Sequence, residues 1–291
     1  MVQRELCVSR TGRSARDTRF LEIHQSFTDH SAWQKWFDRQ AELTDNSYIA
    51  EVARSILGTG FIDPWRGAVH RSEIEASSDN YREGLVAGGL SSKHRAVMRL
   101  VLEYGLLNGY CSPIYLSEHL SSFAQTLIRS FRYTVTSEYL PNPAMRRRHF
   151  RIHHQDPLRL TLPDHSFDLY LSLDRMIYAP DMFLFMKEAR RVLRRGGQLL
   201  ATFPFRYGEE KTEVRAMMKP DGIEHLQPAR LEEDHLDSSR QQLIFFVPGW
   251  DILDASRQAG FRDAEIIAIS SRTSAILGAE IALIFVLRAT V

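Results

Sequence analysis

Hydrophobic positions along the chain follow a strand period in some stretches and a helix period in others. From residue 112 onward, the strand-like runs are SPIYLSE, YTVTSEY, HFRIHH, SFDLYLSL, GQLLATFPF, DAEIIAIS and IALIFVL. The stretches with helical spacing between them are SSFAQTLIRSF, PDMFLFMKEARRVLRR and GWDILDASRQAGF. Strands that alternate with helices predict a doubly wound, mostly parallel, seven-stranded α/β sheet.

The first part of the chain has a helical pattern instead. Trp33, Trp36 and Phe37 begin a stretch with apolar residues at helical spacing, which predicts two helices before the glycines of ILGTG. SSKHRAVMRLVLEYG predicts a third helix, which begins at capping serines. We therefore predict an N-terminal helical extension over residues 1–75 and one larger domain over 76–291.

Composition and charge place the chain in a broad class. It has 291 residues, 44% of them hydrophobic, and its 37 Lys and Arg nearly balance its 36 Asp and Glu. This balance is typical of a soluble globular protein and argues against a general binder of nucleic acid or membranes, although MRRRHFRIHH is locally basic. The apolar run IALIFVL is too short to span a bilayer and predicts a buried strand.

Cysteine usage and the first residues bear on the compartment. Cys7 and Cys111 are the two cysteines, so the sequence predicts neither a disulfide framework nor a four-cysteine zinc site, and we expect a reducing cytoplasm. MVQRELCVSRTGRSARD lacks the apolar core of a secretory signal. An unstructured terminus and an organelle-targeting peptide both stay open for this segment.

Polar side chains follow the predicted strands, where open parallel sheets bind their ligands. These candidates, in chain order, are Ser117, Glu118, Glu138, Tyr139, Gln155, Asp156, Asp174, Arg175, Pro204 and Phe205. The pattern predicts that they meet at one edge of the sheet, where they line a ligand cleft.

One long segment resembles a known family. LPDHSFDLYLSLDRMIYAPDMFLFMKEARRVLRRGGQLLATFPF resembles the fourth-strand to fifth-strand region of class I S-adenosylmethionine-dependent methyltransferases. SEYLP, HQDPLRL and GWDILDASRQAGFRDAEI extend the resemblance, which covers roughly residues 80 to 290 and not the first 75. It implies a methyltransferase that uses S-adenosylmethionine as cofactor, with residues 206–248 as a substrate-lid insert.

The resemblance implies roles for residues after the second and third strands. Glu138, followed by Tyr139, would accept hydrogen bonds from the ribose hydroxyls of the cofactor, since a carboxylate can serve two donors. Asp156 would receive the adenine amino group, with Pro157 and Leu158 beside the ring. A solvated acid at Glu138 and a turn-forming residue at Asp156 are the alternatives.

Other residues would meet the methionine part of the cofactor. The resemblance places Asp174 and Arg175 there and at the substrate entrance. The usual glycine-rich first loop is replaced by CSPIYLSEHLSSFAQ, in which Glu118 would contact the ammonium group. Arg95 would reach the cofactor carboxylate or a substrate anion, the alternative being a charge on a helix surface.

Candidates for proton transfer lie in the MIYAPD turn and in the insert. Tyr178 would orient the substrate or simply pack, and either His225 or His235 would act as a base unless it is only solvated. No residue spacing supports a metal site. We expect methyl transfer to oxygen or nitrogen of a small molecule in specialised metabolism.

Two other functions stay open. A catalytically silent interaction protein on the same fold would explain the altered first loop. An RNA methyltransferase is suggested only by MRRRHFRIHH. We expect neither a membrane nor nucleic acid as a partner, and a homodimer stays open.

Overall fold

The computed structural model of the protein describes residues 20–234 and 237–291. The predictions for the first residues, including Cys7, and for His235 lie outside this range. Within it, no helix has the length and apolar character needed to cross a membrane.

Strands and short hairpins make up much of the chain. The strands are β1 Glu22–Phe27, β2 Phe61–Asp63, β3 Gly67–Val69, β4 Ile74–Ala76, β5 Leu85–Ala87, β6 Ile114–Leu116, β7 Thr134–Thr136, β8 Phe167–Leu173, β9 Leu193–Thr202, β10 Glu213–Val214, β11 Ala216–Lys219, β12 Gly222–His225, β13 Leu231–Asp234, β14 Asp237–Leu243, β15 Phe246–Val247, β16 Asp263–Ser271 and β17 Ile284–Thr290. The α-helices are α1 His30–Phe37, α2 Asn46–Thr59, α3 Tyr81–Gly84, α4 Ser92–Asn108, α5 Ser122–Ser130, α6 Pro143–Arg148, α7 Met182–Val192 and α8 Ile252–Gln258. Short 3-10 helices lie at Ala41–Thr44, Arg71–Glu73 and Met176–Tyr178.

The central sheet has seven strands in the order β1-β16-β17-β9-β8-β6-β7. The pairs β6–β7, β6–β8 and β8–β9 are parallel, and β17 and β1 run against the other five strands. This confirms the predicted doubly wound, mostly parallel sheet.

Strand β8 lies between β9 and β6 in this sheet and separates two apolar cores. Leu169 and Leu171 pack with α4 and α5 on one face, whereas Tyr170 packs with α7 on the other. Successive side chains of a strand point to opposite faces, so a strand covered on both faces is apolar throughout. The apolar stretch Leu169–Leu171 within SFDLYLSL therefore has a direct structural reason.

The prediction of an N-terminal helical extension over residues 1–75 needs correction. Two helices do form there, but β1 precedes them and pairs antiparallel with β16 along its whole length. Trp33 of α1 is fully buried in the same core as Phe285 of β17. The N-terminal residues that the structure describes therefore belong to the central sheet and its core.

The predicted strand at HFRIHH is wrong. Its residues form turns and bends, with a single parallel bridge between Glu138 and His154. The backbone N–H of Glu138 donates to the carbonyl of His153 at 2.9 Å. Since Arg151 and His153 are exposed, the polar alternation reflects a surface segment that touches the edge of the sheet at one point.

The segment over residues 206–248 forms antiparallel hairpins. β11 pairs with β12, β13 with β14, and β10 with β15. The backbone N–H of Phe245 donates to the carbonyl of Ile177 at 2.9 Å, next to the end of β8. The insert is therefore joined to the carboxyl edge of the parallel strands.

Candidate functional site

Two cavities lie at the carboxyl ends of the parallel strands. The β7-side cavity has a volume of about 490 Å³, and its lining includes Ser117, Glu138, Tyr139, Asp156, Pro157 and Leu158. The β9-side cavity has a volume of about 620 Å³, and its lining includes Arg82, Lys93, Asp174, Phe205, Glu232 and Phe285. Both cavities share Arg175, Tyr178 and Gln242, so they meet at the turn after β8.

The strand register explains why these side chains meet. Leu116 of β6 lies opposite Thr136 of β7 and Leu171 of β8, and all three strands run in the same direction. Residues that follow parallel strands emerge at one edge of the sheet. The predicted gathering of polar strand ends is therefore present in the structure.

Glu138 ties the end of β7 to the turn after β6. Its Oε1 accepts hydrogen bonds from the backbone N–H groups of His119 at 2.8 Å and Leu120 at 3.2 Å. The residue is only 2% exposed, although it lines the β7-side cavity. This burial rules out the alternative of a solvated strand-end acid.

Asp156 forms a turn at the wall of the same cavity. Its Oδ1 accepts the backbone N–H of Leu158 at 2.9 Å, which holds Pro157 and Leu158 in place. Tyr139, half exposed, also lines this cavity, with its ring 5.9 Å from that of His154. Asp156 thus has the turn-forming role that was the alternative, and it also lines the cavity.

Asp174 is the centre of an ionic cluster in the β9-side cavity. Its carboxylate accepts two hydrogen bonds from Arg82, at 2.5 and 2.9 Å, and one from the Nζ of Lys93 at 2.6 Å. The hydroxyl of Thr202 donates to Oδ1 at 3.0 Å. Glu83 completes the cluster through ion pairs with the same two cations.

The ionic cluster keeps the Asp174 carboxylate charged and stabilises this residue in a strained backbone conformation. Burial alone would raise the pKa of this carboxyl, but the charges of Arg82 and Lys93 outweigh it and hold the pKa well below its usual range. The φ angle of Asp174 is 56°, in the left-handed region that costs a non-glycine residue on the order of 1 kcal/mol. The side-chain bonds offset that cost.

Glu118 also lines the β9-side cavity and is buried. Its Oε1 accepts the hydroxyl of Ser121 at 2.5 Å, and its Oε2 lies 3.6 Å from the Nε of Arg175. Ser121 caps α5 by accepting the backbone N–H of Ala124 at 3.0 Å. Polar side chains thus occupy the first loop, which contains no glycine.

Tyr178 lies where the two cavities meet. Its hydroxyl donates to Glu232 Oε2 at 2.5 Å, and Glu232 belongs to β13 of the insert. Burial, together with the hydrogen bond and charge of Glu232, raises the pKa of the phenol well above its usual value. The phenol therefore stays protonated near neutral pH and acts as a hydrogen-bond donor.

Arg95 is not a site residue. It is fully buried, and its guanidinium donates to the carbonyls of Ala275 at 2.7 and 3.0 Å, Leu90 at 2.7 Å and Leu85 at 2.9 Å. It lines neither cavity. Neither the predicted contact with an anion nor the alternative of a surface charge is correct, because Arg95 fastens α4 to the neighbouring loops.

The predicted histidine bases are not in the cavities either. His225 lies on the exposed strand β12, opposite Ala216, and lines neither cavity. The prediction of His225 as a base is therefore wrong for this structure, because the hairpin carries it outward. His235 lies outside the described residues.

The structure brings in three residues that the sequence analysis missed: Arg82, Lys93 and Glu232. Lys93 stands two positions before Arg95, and two helical positions differ in direction by about 200°. A helical projection of SSKHRA would therefore have separated a cavity-facing residue from a core-facing one. Glu232 carries no comparable local signal, because its place depends on the hairpin.

Comparison with known proteins adds a domain match and distant structural likenesses. Residues 117–201 match the family model described as a methyltransferase domain. The solved structure of 1,6-didemethyltoxoflavin-N1-methyltransferase from Burkholderia thailandensis is 15% identical, covering 67% of this chain and 78% of that one, with a TM-score of 0.38. A methyltransferase from Mesorhizobium loti is 14% identical, covering 62% and 91% of the respective chains, with a TM-score of 0.40. The [4+2]-cyclase SpnF is 15% identical, covering 90% and 96%, with a TM-score of 0.42.

No curated protein matches the chain. The matched domain begins at the end of β6 and finishes within β9, so it contains the strand ends that carry Glu118, Glu138, Asp156 and Asp174. The chain thus contains a match to a methyltransferase domain over residues 117–201, within a mostly parallel seven-stranded sheet of the class I methyltransferase type.

Proposed function

We propose that the β7-side cavity holds the adenosine part of S-adenosylmethionine, and that the β9-side cavity holds the methionine part and a small-molecule methyl acceptor. The observation that carries this proposal is the junction of the two cavities at Arg175 and Tyr178. A cofactor that spans the junction would present its methyl group to a molecule in the β9-side cavity.

The residues of the β7-side cavity fit the adenosine part chemically. Glu138 would accept the ribose hydroxyls, because an ionised carboxylate accepts several hydrogen bonds. Asp156 would accept the adenine amino group, with Pro157, Leu158 and Tyr139 as apolar neighbours of the ring. In the other cavity, Glu118 and Arg175 have charges that suit the ammonium and carboxylate groups.

When bound, the cofactor supplies a methyl group on a positively charged sulfur. A lone pair of the acceptor would attack the methyl carbon from the side opposite the sulfur, and the sulfur would leave. The protein contributes position and the exclusion of water. Residues 206–248 would act as the substrate lid, and the hydrogen bond from Tyr178 to Glu232 supports this role. A cavity of about 620 Å³ suits a small molecule, which favours a role in small-molecule biosynthesis.

Calorimetric titration with S-adenosylmethionine and S-adenosylhomocysteine tests the proposal. We expect micromolar binding to the wild type and at least about tenfold weaker binding to Glu138→Ala and Asp156→Ala, since each loses charged hydrogen bonds. Glu224→Ala, on the exposed hairpin, is the control and keeps wild-type affinity. A well-folded wild type that binds neither compound would instead favour the catalytically silent interaction protein.

A further inference from the structure

We infer that the methyl acceptor is an arylalkylamine, an aromatic ring that carries an aliphatic amine, and that it binds in the β9-side cavity as a cation. The inference rests on the proposed function and gives the acceptor a chemical class. Two features of the cavity carry it: a wall of aromatic rings, and an excess of carboxylates over cations.

The aromatic wall is continuous. The rings of Phe203 and Phe205 are 5.9 Å apart, those of Phe205 and Phe285 are 5.3 Å apart, and those of Phe285 and Tyr207 are 5.8 Å apart. All four residues line the cavity. Such a surface binds a planar ring by stacked or edge-to-face contacts, and the ring faces also attract a cation.

The cations of the cavity already have carboxylate partners. Arg82 and Lys93 both bind Asp174. Arg175 lies 3.6 Å from Glu118, and Arg230 lies 3.6 Å from Glu232. An anionic acceptor would have to compete with these carboxylates, which argues against a carboxylate or phosphate as its recognition group.

The carboxylates outnumber the cations. The lining contains six carboxylates, at Glu83, Glu118, Asp174, Glu232, Glu233 and Glu280, and four cations, at Arg82, Lys93, Arg175 and Arg230. Within residues 20–234 and 237–291, neither Glu233 nor Glu280 makes an ion pair. S-adenosylmethionine has one more positive than negative group, so its binding still leaves an excess carboxylate for a second cation.

One of these carboxylates, Glu232, can accept the proton that the acceptor must lose. The bound ammonium would pass a proton to Glu232, which the Tyr178 hydroxyl holds at the junction of the cavities. The freed nitrogen lone pair then forms the bond to the methyl carbon, while the electron pair of the broken sulfur–carbon bond stays on sulfur. The positive charge moves from sulfur to the methylated nitrogen, so atoms and charge balance.

Two probes that share one ring and differ in charge test the inference. Tryptamine and indole-3-propionate would be titrated into protein saturated with S-adenosylhomocysteine. We expect tryptamine to bind at least about tenfold more tightly, as one charge-assisted contact predicts. The double variant Glu233→Gln/Glu280→Gln should bind tryptamine only about fivefold more weakly, because both residues are exposed and water screens their charges.

The control is Glu224→Gln in the same insert. Glu224 is exposed, lies 3.4 Å from Lys219 and lines neither cavity. The Glu224→Gln variant should therefore bind tryptamine with the affinity of the wild type. Tighter binding of indole-3-propionate, or an unchanged double variant, overturns the inference. A protein that binds S-adenosylhomocysteine but neither probe overturns the acceptor class alone. A protein that does not bind S-adenosylhomocysteine overturns the proposed function as well.

Discussion

The two cavities are built in different ways, although they share a wall. In the β7-side cavity, Glu138 and Asp156 follow strands or turns of the sheet edge, and backbone N–H groups hold their carboxylates. In the β9-side cavity, the side chains come from segments far apart in sequence, and ion pairs such as Arg82–Asp174 hold them. The strand geometry positions the side chains of the β7-side cavity, whereas ion pairs between distant segments position those of the β9-side cavity.

This difference has an energetic consequence. A carboxylate held by backbone N–H groups loses its partners only when the sheet edge itself opens. A charge cluster depends on each member, because removing one leaves the others incompletely compensated in a partly buried place. We therefore expect the β9-side cavity to be the part of the site most sensitive to single substitutions.

The largest effect should come from Asp174→Ala. It leaves Arg82 and Lys93, whose side chains are 23% and 10% exposed, with Glu83 as the one carboxylate of the cluster that still pairs with both. We expect the free energy of unfolding to fall by about 3 kcal/mol, measured by urea denaturation. The control is Asp164→Ala, since Asp164 is 63% exposed in its pair with Arg191 and should cost less than about 1 kcal/mol. If both variants lost the same free energy of unfolding, the ionic cluster would contribute no more to stability than an exposed ion pair.

Two substitutions in α4 should distinguish a residue that stabilises the core from one that affects binding in the β9-side cavity. Arg95→Met leaves several buried carbonyls without a donor and should lower the free energy of unfolding by about 2 kcal/mol. Lys93→Met should cost less stability but change the charge of the β9-side cavity. We expect only Lys93→Met to alter the affinity for S-adenosylhomocysteine beyond twofold in calorimetry. The reverse result would restore the sequence-based role of Arg95.

These two residues also show what could be predicted from sequence. The strand ends were found because a parallel sheet places them at one edge, whatever the rest of the chain does. Lys93 and Arg95 have the same charge and the same local sequence, so composition could not separate them. The packing of Arg95 against carbonyls of a loop 180 residues away decided the outcome.

The misplaced elements have related causes. β1 is an edge strand with mostly exposed residues, so it has little apolar alternation to detect. HFRIHH has that alternation without pairing as a strand. His225 was chosen for its chemistry alone, whereas hairpin geometry places it outside both cavities. Long-range pairing determines all three, and a single sequence contains little information about it.

A smaller effect should appear as pH dependence. Burial, with the charge of Lys93, lowers the pKa of His94 to about 3. The unfolded chain then binds more protons than the folded one below about pH 6.5, so stability is full above that pH and declines as pH falls, by at most about 1.4 kcal/mol per pH unit. His94→Gln retains an acceptor for the backbone N–H of Ser91 and should flatten this decline in urea titrations between pH 7 and 5. An unchanged slope would show that other groups cause it.

The smallest effect should come from Tyr178→Phe, which removes only the hydroxyl that joins the two cavities to the insert. A net hydrogen bond is worth about 1 kcal/mol, and one to a charged group somewhat more. Without it, β13 should exchange its backbone N–H protons about fivefold faster, measured by mass spectrometry. Tyr207→Phe is the matched control, because the Tyr207 ring lines the β9-side cavity but its hydroxyl makes no hydrogen bond within the described residues. If β13 exchanges at the same rate in both variants, its pairing with β14 alone stabilises it. The contrast between the β7-side cavity, positioned by strands, and the β9-side cavity, positioned by ion pairs, would then not extend to the insert.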